Sequence, residues 1–575
     1  MDETKERYLV TSALPYANGP LHVGHMVGAY LPADAFVRYL RVRGYDVVYV
    51  GGTDEHGVPI TLTAEREGKS PREVVDYWYA HMTETFSRFY ISFDNFSRTS
   101  TELHAKNTQL FYRKLKEGGY ISEEESKQMY SPTEGRFLPD RYVEGTCPVC
   151  GYKEARGDQC DNCGSWYEAY ELIEPHSKIT GGPVEVRETT HLYLDLPKFS
   201  DRLKEYITGQ RHWRTQVKNF ALGMIEGGLE KRPITRDILW GVPVPEPGFE
   251  DKRFYVWFDA PIGYVSSTME WSEMAGEPDR WREYWQEPDT KLVHFIGKDN
   301  TVFHAVVWPA MLMGVGEDGT EPYVLPHDIS ANEFMNLEVV VDGKPQQVQM
   351  STSRNLAVWL HEALERFPAD PLRFYLASTL PETADVAFSW REFQSRVNND
   401  LIGNLGNYVN RVLSFTERYF DGELPRPEEP PAGEVFADFR ELEGRYEERM
   451  LSIRPREALG ELLAMGRRAN RFFDAQAPWK SRKENPEEAR ATLYVCAVLL
   501  GSIAYHAAPY VPEAVERLQG FFEGPIARVS DLEKLPEDYR VKGAKPLFGR
   551  VEDEEVAAAE EQLSRALRGE PDGGS

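Results

Sequence analysis

The first fifty residues commit the chain to a parallel sheet. Tyr8 to Thr11 is a short apolar run that reads as a buried strand, and Ser12-Ala-Leu-Pro-Tyr-Ala-Asn-Gly-Pro20 reads as the loop after it. A helical pattern then runs from about His22 to Arg43, and Asp46-Val-Val-Tyr-Val50 follows as a second β-branched strand between Gly44 and Gly51-Gly52. Strand, helix and strand so close together are joined by a right-handed crossover, which opens a doubly wound α/β domain. Phe254-Tyr-Val-Trp-Phe258 and Leu292-Val-His-Phe-Ile296 are runs of the same kind, so the sheet is expected to resume there after an interruption. The 575 residues, 41% hydrophobic and 28% charged, suffice for about four compact units with their own cores.

The interruption carries four of the five cysteines, as Cys147-Pro-Val-Cys150 and Cys160-Asp-Asn-Cys163. Each Cys-x-x-Cys knuckle aims two thiolates at one point, and two knuckles complete the sulfur tetrahedron that Zn2+ prefers. Gly151 and Gly164 relieve the turns, and disulfides are disfavoured in a cytosolic chain. Four thiolates leave no open coordination position, so this zinc is read as structural, one per chain.

From about Ser389 strand signals give way to helical spacing. Phe393, Val397, Leu401, Leu405, Tyr408, Val412 and Phe415 recur at steps of four or three, along one stripe of a long amphipathic helix that begins an α-helical domain. Leu424-Pro-Arg-Pro-Glu-Glu-Pro-Pro431 is read as a solvated connection. Ala491 to Pro512 has no Asp, Glu, Lys or Arg and nearly the length of a membrane span, but His506 and Pro509 favour the core of a helical bundle, with Cys496 inside it. The tail from Val551 to Ser575, with eight acids and two bases, is read as a solvated helix with a disordered Gly-rich end.

The loop after the first strand lacks the Gly-x-Gly-x-x-Gly of a dinucleotide binder. It carries Pro15-Tyr-Ala-Asn-Gly-Pro-Leu-His-Val-Gly-His25 instead. His22 and His25, three apart at the start of the helix, share a face where unsatisfied N–H groups and the positive end of the dipole suit triphosphate oxygens, and Gly24 lets a ligand approach the backbone. His22-Val-Gly-His25 resembles the HIGH signature of class I aminoacyl-tRNA synthetases, and the longer string is similar to the methionine-specific branch of that family. Gly52-Thr-Asp-Glu-His-Gly57, Tyr255-Val-Trp-Phe-Asp-Ala-Pro-Ile-Gly-Tyr264 and Gly297-Lys-Asp-Asn-Thr-Val-Phe-His304 match the family's active-site segments in order, each at an expected strand end. Gln349-Met350-Ser351-Thr352-Ser353 stands where the family has KMSKS. Both usual lysines are absent from it, so phosphate cations must come from elsewhere, with Arg354 and Lys344 as candidates.

The resemblance implies a two-step reaction, in which methionine and ATP with Mg2+ give methionyl adenylate and the acyl group then passes to tRNA(Met). It assigns Asp54 to the substrate ammonium, and Ala13, Leu14, Tyr16, Trp257, Ala260, Pro261, Tyr264 and His304 to the methionine pocket. Gly466 to Lys483 holds six bases and one acid interleaved with Phe472, Phe473 and Trp479, a mixture suited to phosphates and unstacked bases. Asn407, Arg411 and Trp479 match the family's anticodon readers. A local patch of this kind is needed, because 66 Lys plus Arg against 93 Asp plus Glu give a net charge of -27 and exclude binding of nucleic acid by bulk charge.

The expected division is 1–118 and 234–328 as two halves of a Rossmann-like catalytic domain split by a zinc-knuckle insertion at 119–233. A stem-contact segment at 329–388, an anticodon-binding domain at 389–550 and an acidic tail at 551–575 complete it. Rival readings are a class I synthetase for leucine, isoleucine or valine, whose editing insertion needs more than the about 115 residues available here, and a noncatalytic zinc-bearing RNA-binding protein. No leader is legible at the start and no additional tRNA-binding domain at the end, so a cytoplasmic monomer without membrane contact is the expectation.

Overall fold

Five parallel strands form the central sheet: β1 (Arg7–Ser12), β2 (Asp46–Thr53), β3 (Asn95–Arg98), β4 (Thr290–Gly297) and β5 (Pro326–Asn332). Their order is β5-β4-β1-β2-β3, with Val10 of β1 between Val293 of β4 and Tyr49 of β2. The chain winds outward from β1 to β3, returns, and adds β4 on the other side of β1. The order thus reverses between β1 and β4, which opens a crevice at their carboxyl ends. This computed structural model describes residues 6–568 apart from 158, 159, 161, 164, 166, 318–321, 342, 343, 351–355, 525, 527, 535 and 536. Gly164 and the loop residues Ser351, Thr352, Ser353, Arg354 and Asn355 therefore lie outside the described residues, as does the Gly-rich end of the tail.

The crossover from β1 to β2 is helix α1, built of Val23–His25, Met26–Tyr30 and Leu31–Arg43. Met26–Tyr30 winds as a π turn, a widened segment that recurs near functional sites. Gly44 at φ 77° ends the helix, in the left-handed conformation that costs glycine little. Between β3 and β4 the chain forms an antiparallel sheet whose long strands, Ile121–Ser131 and Glu185–Leu194, pair along their length. Helix α2 (Thr215–Glu226) comes before the last short strand of that sheet, Arg232–Pro233.

Phe254 to Phe258 is not a strand of the resumed sheet. Arg253–Phe254 alone pairs, antiparallel with Thr235–Arg236, and Val256–Asp259 and Ile262–Met274 are helical. A five-residue apolar run is too short for its period to separate strand from helix. The sheet resumes instead at β4.

The second half is helical. Helix α3 runs without a break through Trp390–Arg396, a π segment Val397–Gly406 and Asn407–Phe420, with Phe393, Val397, Leu401, Leu405, Tyr408 and Val412 buried. Helix α4 (Pro455–Gln476) and helix α5 (Pro486–Ala507) pack on it. α5 is long and apolar enough to cross a membrane, yet 83% of its apolar window is buried inside the bundle, Cys496 included. Leu424 is buried, and Glu423–Pro425 pairs with Asp538–Arg540, so the Pro-rich connection is solvated only beyond Pro425. The tail helix Asp553–Leu567 is not free in solvent either. It buries Val556 and Ala559, and Arg391 of α3 holds Glu560 through two hydrogen bonds of 3.1 and 2.9 Å.

A fully buried Arg373 ties the two halves together. Its guanidinium donates to Asp34 of α1 at 2.6 Å, to the Phe89 carbonyl at 2.9 Å and to the Pro509 carbonyl just after α5 at 2.8 Å.

Candidate active site

The crevice at the ends of β1 and β4 is a cleft of about 420 Å3. Ala13, Leu14, Tyr16, His22, Gly24, His25, Asp54, Trp257, Ala260, Pro261, Tyr264, His304, Gln349 and Met350 all line it. The loops after β1, β2 and β4 supply Ala13, Leu14, Tyr16, Asp54 and His304, so the sheet itself gathers strings that are far apart in sequence. The Lys344 side chain and Arg354 are not among the described groups, so neither is placed as a phosphate cation.

His22 caps α1 from an extended backbone conformation (φ -116°, ψ 167°), and its N–H donates to His25 Nδ1 at 3.2 Å. An accepting Nδ1 leaves the proton of a neutral His25 on Nε2. Burial holds His25 at a pKa of about 4, and burial with His25 alongside holds His22 well below its ordinary value. The rings lie 3.8 Å apart between centroids, tilted by 30°, and His22 Nδ1 is buried without a partner. Each uncharged ring therefore has a single N–H to donate. A Cβ at Gly24 would sit 2.9 Å from two atoms of the His22 ring, so the glycine keeps that imidazole in place. The same stretch is strapped to the segment after the second signature, because Val23 N–H donates to Val358 O at 3.0 Å and Leu360 N–H to Leu21 O at 2.9 Å.

Asp54 is clamped by its backbone to the opening loop, with bonds of 2.8 Å to Pro15 O and 2.9 Å from Ala17 N–H. Burial, and then the neighbouring Asp259 carboxylate, raise its pKa well above the ordinary carboxylate value. The Trp257 indole N–H donates to Tyr16 Oη at 3.1 Å, and Phe303 meets the Trp257 ring edge-on at 4.2 Å. His304 Nδ1 lies 3.1 Å from the Asn300 carbonyl, which can only accept, so Nδ1 carries the proton and Nε2 accepts from Tyr264 Oη at 2.9 Å. This end of the cleft combines a buried carboxyl group with an aromatic sleeve. It suits an ammonium on an apolar side chain.

Sequence reasoning missed a buried cluster behind Asp54. His56 Nδ1 is 2.6 Å from Asp259 Oδ2, and His104 Nε2 is 3.7 Å from the same oxygen. Burial opposes charge on Asp259, but the two rings outweigh it and hold that carboxyl below its ordinary value. His56 and Asp259 lie inside strings that had been singled out for their neighbours, whereas His104 sits in an amphipathic helix with nothing to mark it.

The cysteines converge as expected. Cys147 Sγ and Cys163 Sγ lie 3.9 Å apart, Cys150 Sγ and Cys160 Sγ 3.6 Å apart, and all four fall within 4.8 Å of one another. Zn–S bonds of about 2.3 Å place tetrahedral sulfurs about 3.8 Å apart, so the donor set fits zinc. The N–H groups of Val149 and Cys150 both point at Cys147 Sγ from 3.4 Å, the inward bend of a knuckle.

Arg411 and Trp479 also meet, and Asn407 stands one helical turn before Arg411 on α3. Arg411 donates to Asp474 at 2.5 Å and lies over the rings of Phe473 at 4.4 Å and Trp479 at 6.0 Å. The Asn407 amide donates to Asn470 Oδ1 at 3.3 Å. Ala477, at φ 43°, turns the chain so that Trp479 stays 37% exposed beside them.

Comparison with known proteins agrees with this geometry. Residues 8–413 match the family model described as tRNA synthetases class I (M), and residues 428–567 match the anticodon binding domain of methionyl tRNA ligase. The chain belongs to the class I aminoacyl-tRNA synthetases. It is 82% identical to the methionine–tRNA ligase of Rubrobacter xylanophilus, with 99% of both chains covered, and 46% identical to that of Thermococcus onnurineus, over 96% of this chain and 75% of the relative. The solved Mycobacterium tuberculosis methionyl-tRNA synthetase bound by methionyl-adenylate superposes with a TM-score of 0.76 at 26% identity, covering 95% of this chain and 100% of that one. Within the class, the family is thus that of the methionine–tRNA ligases, which use ATP to join L-methionine to tRNA(Met) through methionyl adenylate and release AMP and pyrophosphate.

Proposed function

We propose that methionine and ATP lie side by side in the cleft between β1 and β4, and that the residues lining it divide as follows. Asp54 takes the ammonium. Trp257 and Tyr264, with Ala13, Leu14, Tyr16, Ala260, Pro261 and His304, enclose the thioether. The N-terminal end of α1 receives the triphosphate, with Nε2–H of His25 and the His22 ring as donors and Gly24 leaving room for them. Gln349 and Met350 close the mouth, and Ser351, Thr352 and Ser353 continue the second signature. In-line attack of the methionine carboxylate on the α-phosphorus needs placement and charge stabilisation rather than an acid or base, which these uncharged donors supply. ATP enters with Mg2+, which shields the phosphate charge. One observation carries the reading: residues from strings scattered between Ala13 and Met350 line one cleft at the reversal of strand order.

Sulfur against aromatic edges contributes about 0.3–1.5 kcal/mol, and one methylene changes binding by about 1–3 kcal/mol, so shape alone separates methionine imperfectly from homocysteine. We retain the six-part division of the chain and read the protein as a cytoplasmic monomer that does not enter a membrane; the burial of α5 supports the last point.

We further assign a structural zinc to Cys147, Cys150, Cys160 and Cys163. Metal analysis is expected to find about one zinc per chain, and Cys150→Ser to lower that content and open the knuckles to protease. Full zinc content in the variant would refute the ligand set. Asn407, Arg411 and Trp479 are assigned to the anticodon. Loss of a stacking platform costs about 1–3 kcal/mol per base, so Trp479→Ala should raise the KM for tRNA(Met) about tenfold to a hundredfold, with the effect confined to steps that involve tRNA. An unchanged tRNA KM would remove Trp479 from the interface.

A further inference from the structure

The π turn in α1 has a support outside the cleft. Asn332, the fully buried last residue of β5, donates its side-chain amide to the Gly28 carbonyl at 3.0 Å and to the Val27 carbonyl at 3.3 Å. Widening a helix to the π form disturbs the regular bonding of its carbonyls, and buried carbonyls need partners. The amide oxygen of Asn332 accepts from Arg214 Nη1 at 2.9 Å. Both ends of the amide are therefore used, and a flipped amide would turn its NH2 toward a guanidinium.

Arg214 has no carboxylate in contact among the described residues. It is held by carbonyls, donating to Ala331 O at 2.9 Å, Glu382 O at 3.2 Å and Ile453 O at 3.2 Å. Ile453 adopts φ 54°, an unfavourable left-handed conformation for a β-branched residue, in the turn just before α4. That helix carries Asn470, Phe473 and Asp474 near its other end, roughly 30 Å away at 1.5 Å per residue. A continuous chain of hydrogen bonds thus runs from the turn that starts α4, through Arg214 and Asn332, to Gly28, whose backbone lines the cleft beside the two histidines.

We propose that Asn332 and Arg214 are positioning residues for adenylate formation, acting through the Val27 and Gly28 carbonyls to hold the start of α1 at the geometry the triphosphate requires. The inference rests on the reading that ATP occupies that end of the cleft. Neither residue touches a substrate in this assignment. Asn332 works through the π turn, and Arg214 works through Asn332.

The test is methionine-dependent exchange of pyrophosphate into ATP by the full chain, with thermal unfolding measured alongside. Asn332→Asp keeps the oxygen that Arg214 needs and strengthens that pair, but it cannot donate to Gly28 and Val27; Asn332→Ala loses both bonds. Misplacement of reacting groups by about 1 Å can cost a hundredfold, so both variants are expected to lose about tenfold to a hundredfold in kcat, with the methionine KM within about twofold. Asn332→Asp should lose some thermal stability, because the two buried carbonyls go unpartnered, but should stay folded at the assay temperature through its pair with Arg214. Arg214→Gln should lower kcat in wild type and add nothing in the Asn332→Ala background, because the two act in series. Wild-type kcat in Asn332→Asp, or fully additive losses for Arg214→Gln and Asn332→Ala, would overturn the proposal. His25→Ala separates this from the underlying reading. If that variant loses exchange while Asn332→Asp does not, only the positioning role falls; if it exchanges normally, the ATP site itself is misassigned.

Discussion

Replacing His25 by alanine is expected to lower kcat for pyrophosphate exchange by about a hundredfold to a thousandfold, the usual cost of removing one preorganised donor to developing charge. The expectation rests on how firmly that donor is set. The His22 N–H fixes the tautomer from one side, and burial keeps the ring neutral down to a pH of about 4. The second signature heightens the effect, because Gln349 and Thr352 stand where lysines would share the load. The methionine KM should change little, since the proposed assignment puts the ring at the phosphate end. A variant that exchanges as fast as wild type would remove His25 from the reaction.

The same burial has a consequence for acid stability. His22, His25, His294 and His304 all have lowered pKa values, with burial as the leading cause in each. An unfolded histidine binds its proton near pH 6.5, so the unfolded state takes up protons first as pH falls. Stability contributed by these neutral rings is complete above about pH 6.5 and declines as pH drops toward 4.

Asp54→Asn is the second large effect, with opposite signs on binding and on stability. If Asp54 holds the substrate ammonium as proposed, removing its carboxylate should weaken methionine by about 2–5 kcal/mol, roughly thirtyfold to several thousandfold in KM. The empty enzyme should meanwhile melt higher. Asp54 is buried next to Asp259, its pKa is raised, and the folded state therefore holds its proton more tightly than the unfolded chain does. Stability from this group is present below the unfolded value of about 3.9 and is lost as pH rises through the raised value. Asparagine removes that penalty. Below its raised value Asp54 holds a proton that the proposed ammonium contact would displace, so methionine affinity should increase as pH rises through that value. Isothermal titration in buffers of different ionisation enthalpy would register the released proton. A pH-independent affinity, or an Asp54→Asn variant that binds methionine normally, would exclude the ammonium role.

The spacing of Cys147, Cys150, Cys160 and Cys163 declares the knuckles by itself, whereas the cleft residues are legible through the family resemblance of strings that mostly follow strands. Ala13, Tyr16, Asp54 and His304 lie in strings that follow short apolar runs, and the sheet brings such strings to one edge by its topology alone. Phe254 to Phe258 was misread because a short apolar run does not declare its period. His104 was invisible because a polar residue in an amphipathic helix gives no sign of which way it faces. The π turns of α1 and α3 have no pattern that separates them from α-helix, and the docking of the acidic tail depends on Val556 and Ala559 meeting a surface formed more than a hundred residues earlier. Long-range polar pairs such as Asn332 with Gly28 belong to the same class. They exist only once the fold has assembled both partners.

Arg373 shows what that assembly demands. Its charge is removed from water, and its partners come from the first helix, from a loop beside the sheet and from the carbonyls that follow the apolar helix. Cutting the polypeptide between its α/β and helical portions would leave Arg373 with Asp34 and the Phe89 carbonyl on one fragment but strip it of the Pro509 carbonyl, and losing a hydrogen bond to a buried charged group costs about 1.5–3 kcal/mol. That contact couples the two portions, so melting should proceed as a single cooperative event across both.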